Sequence, residues 1–193
     1  MFNTYLSSVE ALIADIAGVV EELAYIEPDQ IAVNFKRSRD SVSEEVLAET
    51  TGLSDSNFAS IQKREGRIEK FLASKCMLKD GIPVKYSIDL YVPAFFNLNF
   101  KEKLLTIFHE LYHIHPKFDG ELRIFKGKGY KHGSSMERYD KYMEYLVDKY
   151  TDRDPPAAEF LKNEHEKISP MLASYKIPRT VKPEPSLFRI TWR

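Results

Sequence analysis

The chain predicts an α+β fold: a twisted, mainly antiparallel sheet packed on a buried central helix, with additional helices toward the N- and C-termini. Three observations carry this. Residues 101–115 read as one helix whose Leu104, Ile107, Phe108, Leu111 and Ile114 fill a broad apolar stripe, leaving polar residues on the remaining face. Just upstream, Val84, Tyr86, Ile88, Leu90 and Val92 alternate with Lys85, Ser87, Asp89 and Tyr91, the period-two pattern of a strand with one core face and one wet face. Residues 4–24 place Leu6, Val9, Leu12, Ile13, Ile16, Val20 and Leu23 at helical spacing.

Taken in order, the first helix stops at Glu27 and Pro28, and 31–35 is a short strand. The stretch 36–56 is polar and weakly periodic, so it reads as a mobile loop around a short helix over 43–49. Residues 58–62 form another strand. Residues 67–77 are expected to pair with the strand over 82–92 through a turn at Lys79-Asp80-Gly81, an antiparallel hairpin leading to the buried helix. Asn99, with Glu102 three residues on, caps that helix, and Pro116 stops it. A glycine-containing connection over 117–133 leads to a helix over 135–151. That helix opens with Ser134-Ser135-Met136-Glu137 and buries Met136, Tyr139, Met143, Leu146, Val147 and Tyr150. A last helix over 156–175 is interrupted near Pro170. From Lys176 onward, Pro178, Pro183 and Pro185 predict an extended strap.

With 193 residues, 43% of them hydrophobic and 30% charged, the chain is long enough for one well-filled core. A net charge of -1 argues against binding nucleic acid through bulk electrostatics. The single cysteine, Cys76, excludes an intramolecular disulfide and a cysteine-based zinc cluster, and reads as a small buried residue on a strand. A reducing cytoplasm is the expected compartment. The start of the chain lacks the basic region of a signal peptide, and no apolar run reaches membrane-spanning length.

The chemistry lies in His109-Glu110-Leu111-Tyr112-His113. Four residues are just over one helical turn, so an H-E-x-x-H helix sends both imidazoles from one face toward a single ion about 2 Å from each nitrogen. Glu110, about 100° further round, is close enough to take a proton from water on that ion. Two histidines and a glutamate on a largely apolar helix are expensive to bury without such a partner. A catalytic zinc requires a third protein ligand and an open position. His132 is well placed for it, flanked by Gly129 and Gly133 ahead of the next helix, while Glu137, Asp140 and Glu144 are the carboxylate alternatives. His115 lies about 200° round from His113 and cannot reach the same ion while the helix holds, and His165 sits in a charged, solvated run. Arg123, Tyr130 and Tyr112 are within reach as substrate or oxyanion partners, and Asp119-Gly120 reads as a turn whose aspartate is one partner for Arg123.

These residues resemble the phage-type metallopeptidases of bacteria and phages, small zincin-like proteins. In that family an H-E-L-x-H-I helix is followed by a proline, an F-D-G or F-S-G turn, a Leu-Arg pair and a His-Gly. Here the elements are His109 to Ile114, Pro116, Phe118-Asp119-Gly120, Leu122-Arg123 and His132-Gly133. The likeness is close from about Tyr86 to Asp140 and looser outside. It implies a zincin-like fold with His109, His113 and His132 as zinc ligands and Glu110 as catalytic base. The organisation expected is a single domain, 1–193, with an N-terminal helix (1–26), a sheet region (27–100), metal-site helices (101–151) and an extended tail (176–193). The activity expected is zinc-dependent hydrolysis of a protein or peptide.

Two rival readings keep the scaffold and drop the turnover. One is a regulatory or nucleic-acid-associated protein, suggested by Lys117, Arg123, Lys126, Lys128 and Lys131 interleaved with Phe118, Phe125 and Tyr130. The other is a metal-binding interaction protein with no accessible cleft beside the ion.

Overall fold

Helix α1 (Phe2–Val19) buries Val9, Leu12, Ile13 and Ile16 as its spacing requires. The structure, a computed structural model, describes residues 2–37, 46–53, 59–64, 67–73, 78–124, 136–162 and 187–189. Gly18, Val19 and Val20 are poor helix formers, and Val20 is extended (φ -98°, ψ 103°). The helix therefore ends short of residue 24, and a 3-10 turn at Glu21–Leu23 carries Leu23 into the core. A second 3-10 turn, Pro28–Gln30, delivers the chain to β1 (Ile31–Arg37).

The sheet beside the helices has the order β1-β7-β2, with β7 (Tyr86–Val92) at its centre and β2 (Ala48–Gly52) at one edge. Strand β1 runs parallel to β7 from Ile31↔Tyr86 to Arg37↔Val92, while β2 runs antiparallel with Thr50 opposite Ile88. The sheet is mixed, then, and not mainly antiparallel: β1 lies far upstream of β7 and reaches it by a crossover.

The expected helix over 43–49 is corrected at its C-terminal end. Ala48 and Glu49 belong to β2, and residues 38–45 lie outside the described residues. Ala48, Thr50 and Gly52 are the inward residues of that strand, so a period-two pattern is present but written in small side chains.

The hairpin is also corrected. Its turn exists: Asp80 and Gly81 have φ of 52° and 83°, and they join β5 (Leu78–Lys79) to β6 (Ile82–Pro83). Pro83 has no N–H to extend the ladder, so β6 stops and β7 starts afresh at Tyr86. Strand β4 (Arg67–Ala73) pairs instead with β3 (Ala59–Arg64), the strand expected over 58–62, and with β8 (Leu187–Arg189) from the tail. Cys76 lies outside the described residues.

The face of β7 expected to be wet is covered at its middle. Ser87 and Asp89 are buried, held by Asn34 Nδ2 donating to Ser87 Oγ (3.1 Å) and Lys36 Nζ 2.5 Å from Asp89 Oδ2. That ion pair outweighs the desolvation of the ammonium and raises the Lys36 pKa.

Short helix α2 (Ala94–Asn97) leads to α3 (Phe100–Tyr112), and α4 (Met136–Thr151) packs against α3. Helix α4 buries Tyr139, Met143, Leu146, Val147 and Tyr150, as expected, and the cap at 134–135 lies outside the described residues. A 3-10 helix, Pro156–Leu161, occupies the start of the expected last helix, with 163–175 outside the described residues. Side chains from α1, β1, β2, β7, α2, α3, α4 and this 3-10 helix join one apolar cluster. Phe108, fully buried against the Tyr150 ring at 5.7 Å, sits within that cluster. Phe108→Ala is expected to lower unfolding free energy by about 3–5 kcal/mol, measured by denaturant titration.

Candidate active site

Helix α3 is fixed before any ligand is considered. The Asn99 side chain accepts from the Glu102 N–H (3.0 Å), and the Glu102 carboxylate accepts from the Asn99 N–H (2.8 Å), a reciprocal capping box. Leu104, Ile107, Phe108, Leu111 and Ile114 are all buried, so rotation of the helix is locked by its stripe.

The helix ends earlier than expected, at Tyr112, with His113 as its C-cap in helical conformation (φ -72°, ψ -17°). The reason lies downstream. Arg123 N–H donates to the His113 carbonyl (2.7 Å), His115 N–H donates to the Glu121 carbonyl (3.2 Å), and Ile114 bridges Leu122. Backbone groups that would have continued the helix are taken by a returning strand. Because His113 keeps helical dihedrals, its spacing from His109 survives: the two half-buried imidazoles are 4.7 Å apart, centroid to centroid. His115 is past the helix, so its separation from the site follows from the turn and not from a helical angle. Its Nδ1 lies 3.2 Å from Asp119 Oδ1, which gives that aspartate to His115 and not to Arg123.

Glu110 is 6% exposed, and edge strand β2 reaches it. Thr50 Oγ1 lies 2.8 Å from Glu110 Oε2 and 2.9 Å from the Glu110 carbonyl, with one proton to donate to either. Sequence reasoning missed Thr50, because a threonine in a polar stretch read as loop carries no signal of its own.

The returning segment is pinned to the sheet. Gly120 (φ 84°) N–H donates to the Tyr86 hydroxyl (3.0 Å), which donates to the Glu121 carbonyl (2.8 Å), and burial pushes the Tyr86 phenol up to about 12. Arg123 is held as well. Its guanidinium lies 3.9 Å above the Tyr112 ring, and Nη2 donates to the Tyr25 hydroxyl (2.7 Å), which donates to the Ile114 carbonyl (3.1 Å). Its buried Nε has no hydrogen-bond partner among the described residues. Phe118 is buried on Tyr86, and with Arg123 stacked inward, Lys117 is the exposed member of the proposed basic strip among the described residues.

Helix α4 presents Tyr139 to the imidazoles. Its ring is 5.0 Å from His109 and 6.3 Å from His113, and its hydroxyl donates to the His109 carbonyl at 3.4 Å. Burial first, and the Glu110 charge second, raise its pKa. The 3.6-residue pattern marked Tyr139 as core, which it is, but could not mark it as the site's wall. The carboxylates of Glu137, Asp140 and Glu144 are on the exposed side of α4, with Glu137 paired to Lys141. Among the described residues no group of three histidine, cysteine or acidic side chains gathers as a metal cage. His132, Tyr130 and His165 lie outside the described residues.

No helix among the described residues is long and apolar enough to cross a membrane. No family model, curated protein or solved structure matches the chain.

Proposed function

We propose that the chain is a zinc-dependent peptidase, zincin-like in plan, with Glu110 as general base. The observation that carries this reading is the content of one helix: two imidazoles 4.7 Å apart on one face and, about 100° round, a buried carboxylate held by a threonine of β2. The donors fit zinc, since half-buried imidazoles on adjacent turns are borderline-soft ligands at the right spacing. We take His132 as the third ligand from its place in the sequence, the α4 carboxylates being turned to the exposed side.

Zinc, when bound, supplies Lewis acidity, making water a nucleophile near neutral pH and polarising the scissile carbonyl. Glu110 takes the proton from the attacking water and carries it to the leaving amine. Burial and the Thr50 hydrogen bond keep its carboxylate on that line. Tyr139 closes one side of the imidazole pair and excludes water from it.

Strand β2 lies against α3 beside Glu110. The bonds from Leu53 N–H to the Lys85 carbonyl and from Tyr91 N–H to the Leu47 carbonyl set the ladder's phase, so odd-numbered residues of β2 bond to β7. The N–H and C=O groups of Ala48 and Thr50 therefore point away from β7, and both residues are buried. The expected setting is cytoplasmic, with protein or peptide as substrate and no membrane partner. The zinc-loaded protein should cleave disordered casein, lose that cleavage in 1,10-phenanthroline and regain it with one equivalent of zinc. Cleavage that persists through chelation, or no cleavage of casein and of a peptide library by zinc-loaded protein, would overturn the reading.

A further inference from the structure

We propose that Thr50 is a positioning residue for Glu110, coupling the sheet edge to the base; this rests on the peptidase reading above. A glutamate on a helix has three side-chain torsions, and a partner from a neighbouring element can select the one that aims its carboxylate. Thr50 does so from outside the helix. Its hydroxyl has one proton and two acceptors within reach, Oε2 at 2.8 Å and the Glu110 carbonyl at 2.9 Å. The hydroxyl's direction is in turn set by the backbone. Threonine is β-branched and stiff at χ1, and Thr50 is locked in register opposite Ile88 on the central strand. Glu110 is thus aimed by the sheet.

Thr50→Val removes the hydroxyl at nearly constant shape, and Thr50→Ser restores it. With zinc-loaded protein and disordered casein, Thr50→Val should lower kcat about 10- to 100-fold, the range for residues that orient a metal site from behind, with KM and zinc content unchanged. Thr50→Ser should recover most of the loss. In a Glu110→Gln background, Thr50→Val should add nothing, as expected of two residues acting as a unit.

Cobalt(II) provides a readout without turnover. The visible absorption band of the cobalt-loaded protein should change shape in Thr50→Val and match wild type in Thr50→Ser. If Thr50→Val does not fold, Thr50→Cys, of similar size and a much weaker donor, carries the same comparisons. Wild-type kcat and an unchanged cobalt band in the variant lacking the hydroxyl would overturn the proposal, as would Thr50→Ser being as impaired as Thr50→Val. A wild type that cleaves nothing would sink the peptidase reading and leave the cobalt comparison to decide Thr50.

Discussion

Glu110→Gln should keep its metal and lose about 10²- to 10⁴-fold in hydrolysis, the span a positioned general base contributes. The substitution is clean here for a structural reason. The Glu110 carboxylate is anchored by a donor, the Thr50 hydroxyl, and the amide oxygen of glutamine accepts from the same donor. Shape, burial and the β2 contact are preserved while the basic oxygen is removed. The measurements are zinc content by atomic absorption and initial rates on casein. Loss of zinc in Glu110→Gln would make the glutamate a ligand or a support for one. Unchanged rates would remove the base from the mechanism.

His109→Ala and His113→Ala should each weaken zinc binding by at least about 100-fold, as expected when a three-ligand site loses one imidazole. His115→Ala should leave the affinity within about twofold. The contrast is demanding because His113 and His115 are two positions apart. His113 caps α3 in helical conformation with its ring beside His109, whereas His115 lies in the turn against Asp119. Competition titration against a chromophoric chelator reads all three. Equal losses in the three variants would contradict the shared-face geometry on which the metal reading stands.

Where one side chain carries a position's physics, the chain could be read directly. The stripe from Leu104 to Ile114, the Asn99–Glu102 cap and the 136–151 helix are written in large apolar residues and one strong capping pair. Three features were not legible, each because a tertiary partner decides it. Strand β2 presents Ala48, Thr50 and Gly52 inward, too small to register as an apolar face, and only pairing with β7 makes them a strand. The end of α3 falls at Tyr112, three residues before the predicted end, where hydrogen bonds with residues 121–123 take over the backbone. Ser87 and Asp89 look like a wet face until Asn34 and Lys36 arrive from a parallel strand. At the candidate site, the histidines and glutamate come from one contiguous motif. Thr50 and Tyr139 come from β2 and α4, and only the fold joins them to it.

The parallel pairing of β1 with β7 also sets an order of events. Ile31 cannot meet Tyr86 until the chain between them has been made and its ends brought together, and that loop closure is unfavourable until the ladder forms. Strand β2 depends on β7 as well, since its ladder runs along the same central strand. Strand β7 is thus the late-arriving template for both neighbours, with α2 and α3 following within a few residues of its end. A nascent chain stalled before residue 86 holds β1 and β2 with no partner from the β1-β7-β2 sheet. Strand β2 and helix α3, which meet at the Thr50–Glu110 contact, therefore both await chain made after residue 85.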